Sequence, residues 1–90
     1  MKLYLFADSD RPDDFFSARA LRDQLDRRGH IVRFVDRMST ELADLDLVIR
    51  YGVVEPVVLV VVGKSGVRAR LTRLVSAEAV EQVLQRLQSA

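Results

Sequence analysis

The run PVVLVVV, residues 56–62, constrains this chain more than any other feature. It is apolar throughout and almost wholly β-branched, so it suits a strand covered on both faces. It is far short of the ~20 residues that span a bilayer as a helix, so the rest of the chain must cover it. A second apolar run, Leu3 to Ala7 (LYLFA), asks for the same cover. Apolar strands of this kind, alternating with segments of helical period, point to an α/β layer fold.

The remaining elements follow from period and punctuation. Pro12 suits the first turn of a helix, and Asp13 and Asp14 suit the positive end of its dipole. Phe15, Ala18, Leu21 and Leu25 repeat at helical spacing, and Gly29 ends that helix. HIVRFVD, 30–36, reads as a strand. Ser39 or Thr40 is expected to cap a second helix, with Leu42, Leu45 and Ile49 along its apolar side and Gly52 at its end. GKSG, 63–66, reads as a turn, and VRARLT, 67–72, alternates as a half-exposed edge strand does. Ser76 caps a last helix whose Val80, Val83, Leu84 and Leu87 share one side.

The order is therefore βαβαββα. The two most apolar strands belong in the middle of the sheet, and the strands bearing Arg33, Arg68 and Arg70 belong at its edges. A right-handed βαβ crossover makes the first two strands parallel, and a short turn makes the last two antiparallel. The expected fold is a four-stranded mixed sheet of order 2-1-3-4 with helices on both faces.

Ninety residues make a single domain, 1–90, with a small core; a chain of this size buries only a little over ~60% of its unfolded surface. The formal net charge of +1 gives no global pull towards nucleic acid or anionic membrane. There is no cysteine, which excludes disulfides, thiolate catalysis and cysteine metal sites. Neither a signal peptide nor a membrane span is legible, so the expected location is the cytoplasm and no membrane partner is expected.

Several chemistries are suggested by short stretches and fail on closer reading. Asp8-x-Asp10 after an apolar strand is similar to the nucleophile motif of haloacid-dehalogenase phosphatases. However, Pro12 stands where those enzymes carry Thr or Val, and the chain is too short for that fold. An EF-hand loop from Asp8 would need glycine at Asp13 and glutamate at Arg19. GKS at 63–65 lacks the glycine that a phosphate loop needs at Val58, and the segment after it alternates like a strand. His30 is the only histidine, so it is read as a strand-entrance residue rather than a metal ligand. Arg68, Arg70 and Arg73 have no interleaved aromatic residue, so nucleic acid is not the expected partner. Charge on an edge strand more often blocks edge-to-edge pairing. Phe15 and Phe16 are adjacent and cannot both face the core, which leaves one near the surface.

Three stretches carry a resemblance that covers nearly the whole chain. KLYLFADSDRPDDFFSARALRDQL resembles a glutaredoxin opening, in which a short strand leads to C-P-x-C and a helix. LDLVIRYGVVEPVVLVV resembles the thioredoxin-family helix ending in Y-G-V, then a loop, then the proline that opens the next strand. GKSGVRARLTRLVSAEAVEQVLQRL resembles the closing hairpin and helix. The chain thus resembles the thioredoxin/glutaredoxin superfamily, as a member with RPDD in place of the redox motif. Arg11 stands where the nucleophilic cysteine would be and Asp14 where its partner would be. Disulfide exchange through a protein thiol is impossible here, and RLVSAEA replaces the glutathione-holding turn.

The resemblance implies that Glu55-Pro56 is cis, lies close to Arg11-Pro12, and lets Glu55 pair with Arg11. It also implies a surface, the relic of the redox groove, made by Arg11, Pro12, Phe16, Glu55 and Pro56. The function expected is redox-inactive binding of a protein segment, without catalysis, cofactor or metal. The alternative is a glutathione- or small-anion-binding glutaredoxin-like protein with non-thiol chemistry, in which Arg11 anchors the anion at a helix N-terminus; it keeps an enzymatic role open.

Overall fold

A computed structural model of the chain describes residues 1–72 and 76–89. Its elements run β1 (Lys2–Ala7), α1 (Pro12–Arg27), β2 (Val32–Asp36), α2 (Leu42–Arg50), β3 (Val57–Gly63), β4 (Gly66–Leu71) and α3 (Ala77–Ser89). The strands form one four-stranded mixed sheet of order β2-β1-β3-β4. β1 is parallel to β2 and antiparallel to β3, and β3 is antiparallel to β4. The expected order and strand directions are both present. Arg73 lies outside the described residues.

Strand alternation divides the core in two. On one face, Leu3, Leu5 and Ala7 of β1 and Val57, Leu59 and Val61 of β3 pack with α1 and α3. Ala18, Leu21 and Leu25 enter from α1, and Ala77, Val80 and Leu84 from α3. On the other face, Phe6, Val35, Val58 and Val60 pack with Leu47 of α2 and Val53. Tyr4, Val48, Tyr51 and Val62 flank that smaller cluster.

The helix ends explain where the chain turns. Past α1, Gly29 has φ +89° and Gly52, past α2, has φ +58°. In both places the glycine N–H donates three residues back and the next N–H five residues back: Gly29 to Asp26 and His30 to Leu25, Gly52 to Ile49 and Val53 to Val48. This is the Schellman arrangement, which needs a left-handed residue that glycine supplies without steric cost. Val53 then packs with Val48, the apolar contact that accompanies the motif. At α3, the Ser76 hydroxyl accepts the Ala79 N–H at 3.2 Å, the expected cap.

Two expectations for α2 are overturned. Its N-cap residue is Glu41, with no side-chain cap bond; the Ser39 hydroxyl, two positions before it, instead accepts the Glu41 N–H at 3.2 Å and does not cap the helix. The apolar side is also the other one. Leu42 and Ile49 are 84% and 78% exposed, and Leu45 is 37% exposed, whereas Leu47 is buried. The helix carries two apolar stripes, and ring packing and charge choose between them. Tyr51 packs against Tyr4 and Phe6, with ring centroids 5.4 and 6.4 Å apart, and Arg33 of β2 holds Asp44 at 3.2 Å. Those contacts turn the 44–47–48–51 side inwards.

Candidate functional site

The β1–β3 register places Ala7 opposite Val57. The turn after β1 and the loop ending in Glu55-Pro56 therefore leave the same end of the sheet. The turn after β2 is laced to it. Ala7 accepts the Arg37 N–H at 2.8 Å, and the Asp36 carboxylate accepts the Ser9 and Met38 N–H groups at 3.2 and 2.9 Å. Asp8 accepts the Asp10 N–H at 2.9 Å and faces the Arg37 guanidinium at 3.4 Å. The Asp8 carboxylate is thus engaged in shaping the turn. Among the described residues, no three His, Asp or Glu side chains gather in a way that suits a metal ion.

At this end, Arg11 occupies the N-cap position of α1 and Pro12 its first turn, as the sequence implied. Both are exposed. Phe15 turns inwards and meets Phe34 edge-to-face at 5.2 Å, while Phe16 is left 65% exposed. Glu55 and Pro56 are half-buried.

The implied cis peptide is absent: the Glu55-Pro56 bond is trans, the isomer favoured by ~0.5–1 kcal/mol when nothing selects against it. The implied Glu55–Arg11 pair is absent as well. Arg11 faces Asp14 of its own helix at 3.8 Å, and Glu55 faces Arg70 of β4 at 3.6 Å. Arg70 is the better-placed cation. It also donates to the Tyr51 carbonyl and lies 3.4 Å from the Gly52 carbonyl, at the negative end of α2. Arg33 and Arg70 do stand on the two edge strands, as expected, but they act as clamps on either side of α2.

His30 does sit at the entrance to β2, half-buried, where its Nε2 meets Glu81 of α3. Beside it, Arg28 donates to Glu78 at 2.5 Å. The Glu78 carboxyl is held below its ordinary value of 4.5, first by a hydrogen bond from its own backbone N–H and then by the Arg28 charge. These pairs tie the start of α3 to the segment between α1 and β2.

The opposite end of the sheet holds a feature that the sequence reading missed. A cleft of ≈ 680 Å³ is lined by Lys2 and Tyr4 of β1, Arg50 and Tyr51 at the end of α2, and Lys64 and Arg68 of the β3–β4 hairpin, among others. GKSG is the expected hairpin turn, with Gly63 opposite Gly66 and β4 following it, so a phosphate loop is excluded. The aromatic residues that are missing around Arg68 in sequence are supplied here in space, by Tyr4 and Tyr51. The available signal was the K-x-Y alternation at residues 2–4, which puts both side chains on one face of β1.

Comparison with protein families, with curated proteins and with solved structures finds no match to this chain.

Proposed function

We propose that this chain is a cysteine-free thioredoxin-like domain that binds a protein segment at the turn end of its sheet. The 2-1-3-4 order and strand directions, with Pro56 directly before β3 and the β1–α1 turn beside it, support the thioredoxin-like reading. The observation that carries the binding reading is Phe16, a large apolar ring 65% exposed on the first turns of α1. Arg11 and Pro12 are exposed just before it, and among the described residues Arg11 pairs only with Asp14 of its own helix. An exposed ring with a cation nearby is a common anchor at protein interfaces. The absence of cysteine limits the role to binding as far as thiol chemistry is concerned.

Glutathione or small-acid binding at Arg11 draws less support, because the guanidinium already faces Asp14.

The test is affinity capture from source cells with wild type beside an Arg11→Glu, Phe16→Ser variant whose folding is checked by circular dichroism. The expected result is one partner captured by wild type and lost with the folded variant. Equal capture by both would remove the turn end as the binding surface. Amide shifts at residues 11–14 and 54–57 on adding glutathione would favour the small-ligand alternative.

A further inference from the structure

The cleft at the hairpin end of the sheet draws on β1, the end of α2 and the β3–β4 hairpin. β3 and β4 pair regularly from Leu59 opposite Leu71 to Val61 opposite Ala69. The register then slips, so that Val62 lies opposite Val67 and Arg68 is the extra residue. Arg68, two residues before Arg70, lies on the same α2 face of β4, and there it lines the cleft beside the bulge.

Gly63 completes the arrangement. A Cβ at that position would stand 3.0 Å from Arg68 Cγ and 3.4 Å from its Cδ. The aliphatic stem of Arg68 thus lies across the bare face of Gly63. Here glycine serves close approach rather than an unusual backbone angle.

Charge in the cleft has one sign. Lys2, Arg50, Lys64 and Arg68 line it, and among the described residues no Asp or Glu does. Arg50 shares its charge with Asp46 at 2.6 Å. Lys2, Lys64 and Arg68 have no ion pair among the described residues. Convergence of unpaired cations around a concavity is unfavourable by itself and favours an anion.

The floor is aromatic. Tyr4 and Tyr51 lie 5.4 Å apart, centroid to centroid, and line the cleft together. Arg70 fixes Tyr51 from behind through its carbonyl. Flat rings beside cations suit a ligand that carries a phosphate and a planar base. The volume is within the range of small-ligand sites.

We propose that this cleft binds a nucleoside phosphate. The phosphate sits among Lys2, Lys64 and Arg68, and the base lies against Tyr51 and Tyr4. The site is at the far end of the sheet from Phe16, so it is independent of the protein-binding surface proposed above.

The test is ¹H–¹⁵N shift mapping on the full chain with three probes: AMP, inorganic pyrophosphate and a short single-stranded oligothymidylate. The expected result is saturable AMP binding that moves the amides of residues 2–4, 50–52 and 63–68. A Lys64→Glu, Arg68→Glu variant with otherwise native spectra should weaken binding at least ~10-fold. Gly63→Ala, which displaces the Arg68 stem, should give an intermediate loss. Tighter binding of the oligothymidylate at the same amides would support the same chemistry with a nucleic-acid strand as the source. Pyrophosphate binding as tight as AMP would overturn the nucleotide assignment, since the rings would then contribute nothing. No saturable shift with any probe, or unchanged AMP affinity in the charge-reversed variant, would overturn the site.

Discussion

The two faces of the sheet are covered in very different ways. One carries α1 and α3, of 16 and 13 residues, over a continuous cluster that runs from Leu3 to Leu84. The other carries only α2, of nine residues, over a smaller cluster centred on Phe6, Val58 and Val60. A short helix cannot bury a whole sheet face. The uncovered margin becomes the cleft beside Tyr4 and Tyr51, and α2 itself is held at its borders by Arg33 and Arg70. The well-covered face holds the larger buried cluster, and the thinly covered one leaves the concavity in which the nucleoside phosphate is proposed to sit.

The largest expected effect tests the first half of that contrast. Leu25→Ala, at a fully buried position of α1, should cost near the upper end of the ~2–5 kcal/mol range for buried leucine truncation. Leu47→Ala, in the smaller cluster under α2, should fall near the lower end of ~2–5 kcal/mol. Urea denaturation of both variants measures the difference, and equal losses would remove the contrast.

Next in size is the arginine clamp. Arg70→Ala removes donors to the Tyr51 and Gly52 carbonyls and the pair with Glu55. A loss of about 1–2 kcal/mol is expected from charged hydrogen bonds at a partly exposed site. Arg28→Ala breaks only a solvent-facing pair with Glu78 and should cost under ~1 kcal/mol. Denaturation midpoints in the same urea series separate the two.

A smaller effect is expected on the outward row of α2. Leu42→Ser and Ile49→Ser should each stay within about 0.5 kcal/mol of wild type, as exposed substitutions do. A loss of the size seen for Leu47→Ala at either position would mean that this stripe is buried after all.

The smallest effect is a pH slope. The folded Glu78 carboxyl is held below 4.5, so its contribution is present above the unfolded value and fades as pH falls through the folded one. Glu78→Gln should be slightly less stable than wild type near pH 7, where that contribution is fully present, and should converge with wild type as pH falls below about 4.5, which flattens its acid slope. Denaturation midpoints across that acid range provide the check.

Much of the fold was legible because its signals are local. The apolar runs LYLFA and PVVLVVV, the 15–18–21–25 period and the Ser76 cap each act within a few residues, and each led to the right element. α2 misled because its sequence offers two apolar stripes. Only contacts with Tyr4, Phe6 and Arg33, distant in sequence, decide which one faces in. Glu55 misled for a similar reason: its partner is chosen by the β3–β4 pairing, which brings Arg70 to it. The hairpin-end cleft was illegible because its residues come from three separate segments, which only the sheet pairing and the packing of α2 bring together.

Native-state hydrogen exchange tests the contrast between the faces most directly. Amides of α2 should exchange through a local opening well below the global unfolding free energy, while those of β1, β3 and the middle of α1 exchange only with global unfolding. Arg70→Ala should lower α2 protection further and leave α1 protection tracking global stability. If α2 amides are as protected as those of α1 and β3, the two faces are equally stable and the account of a thinly covered, ligand-accepting face is wrong.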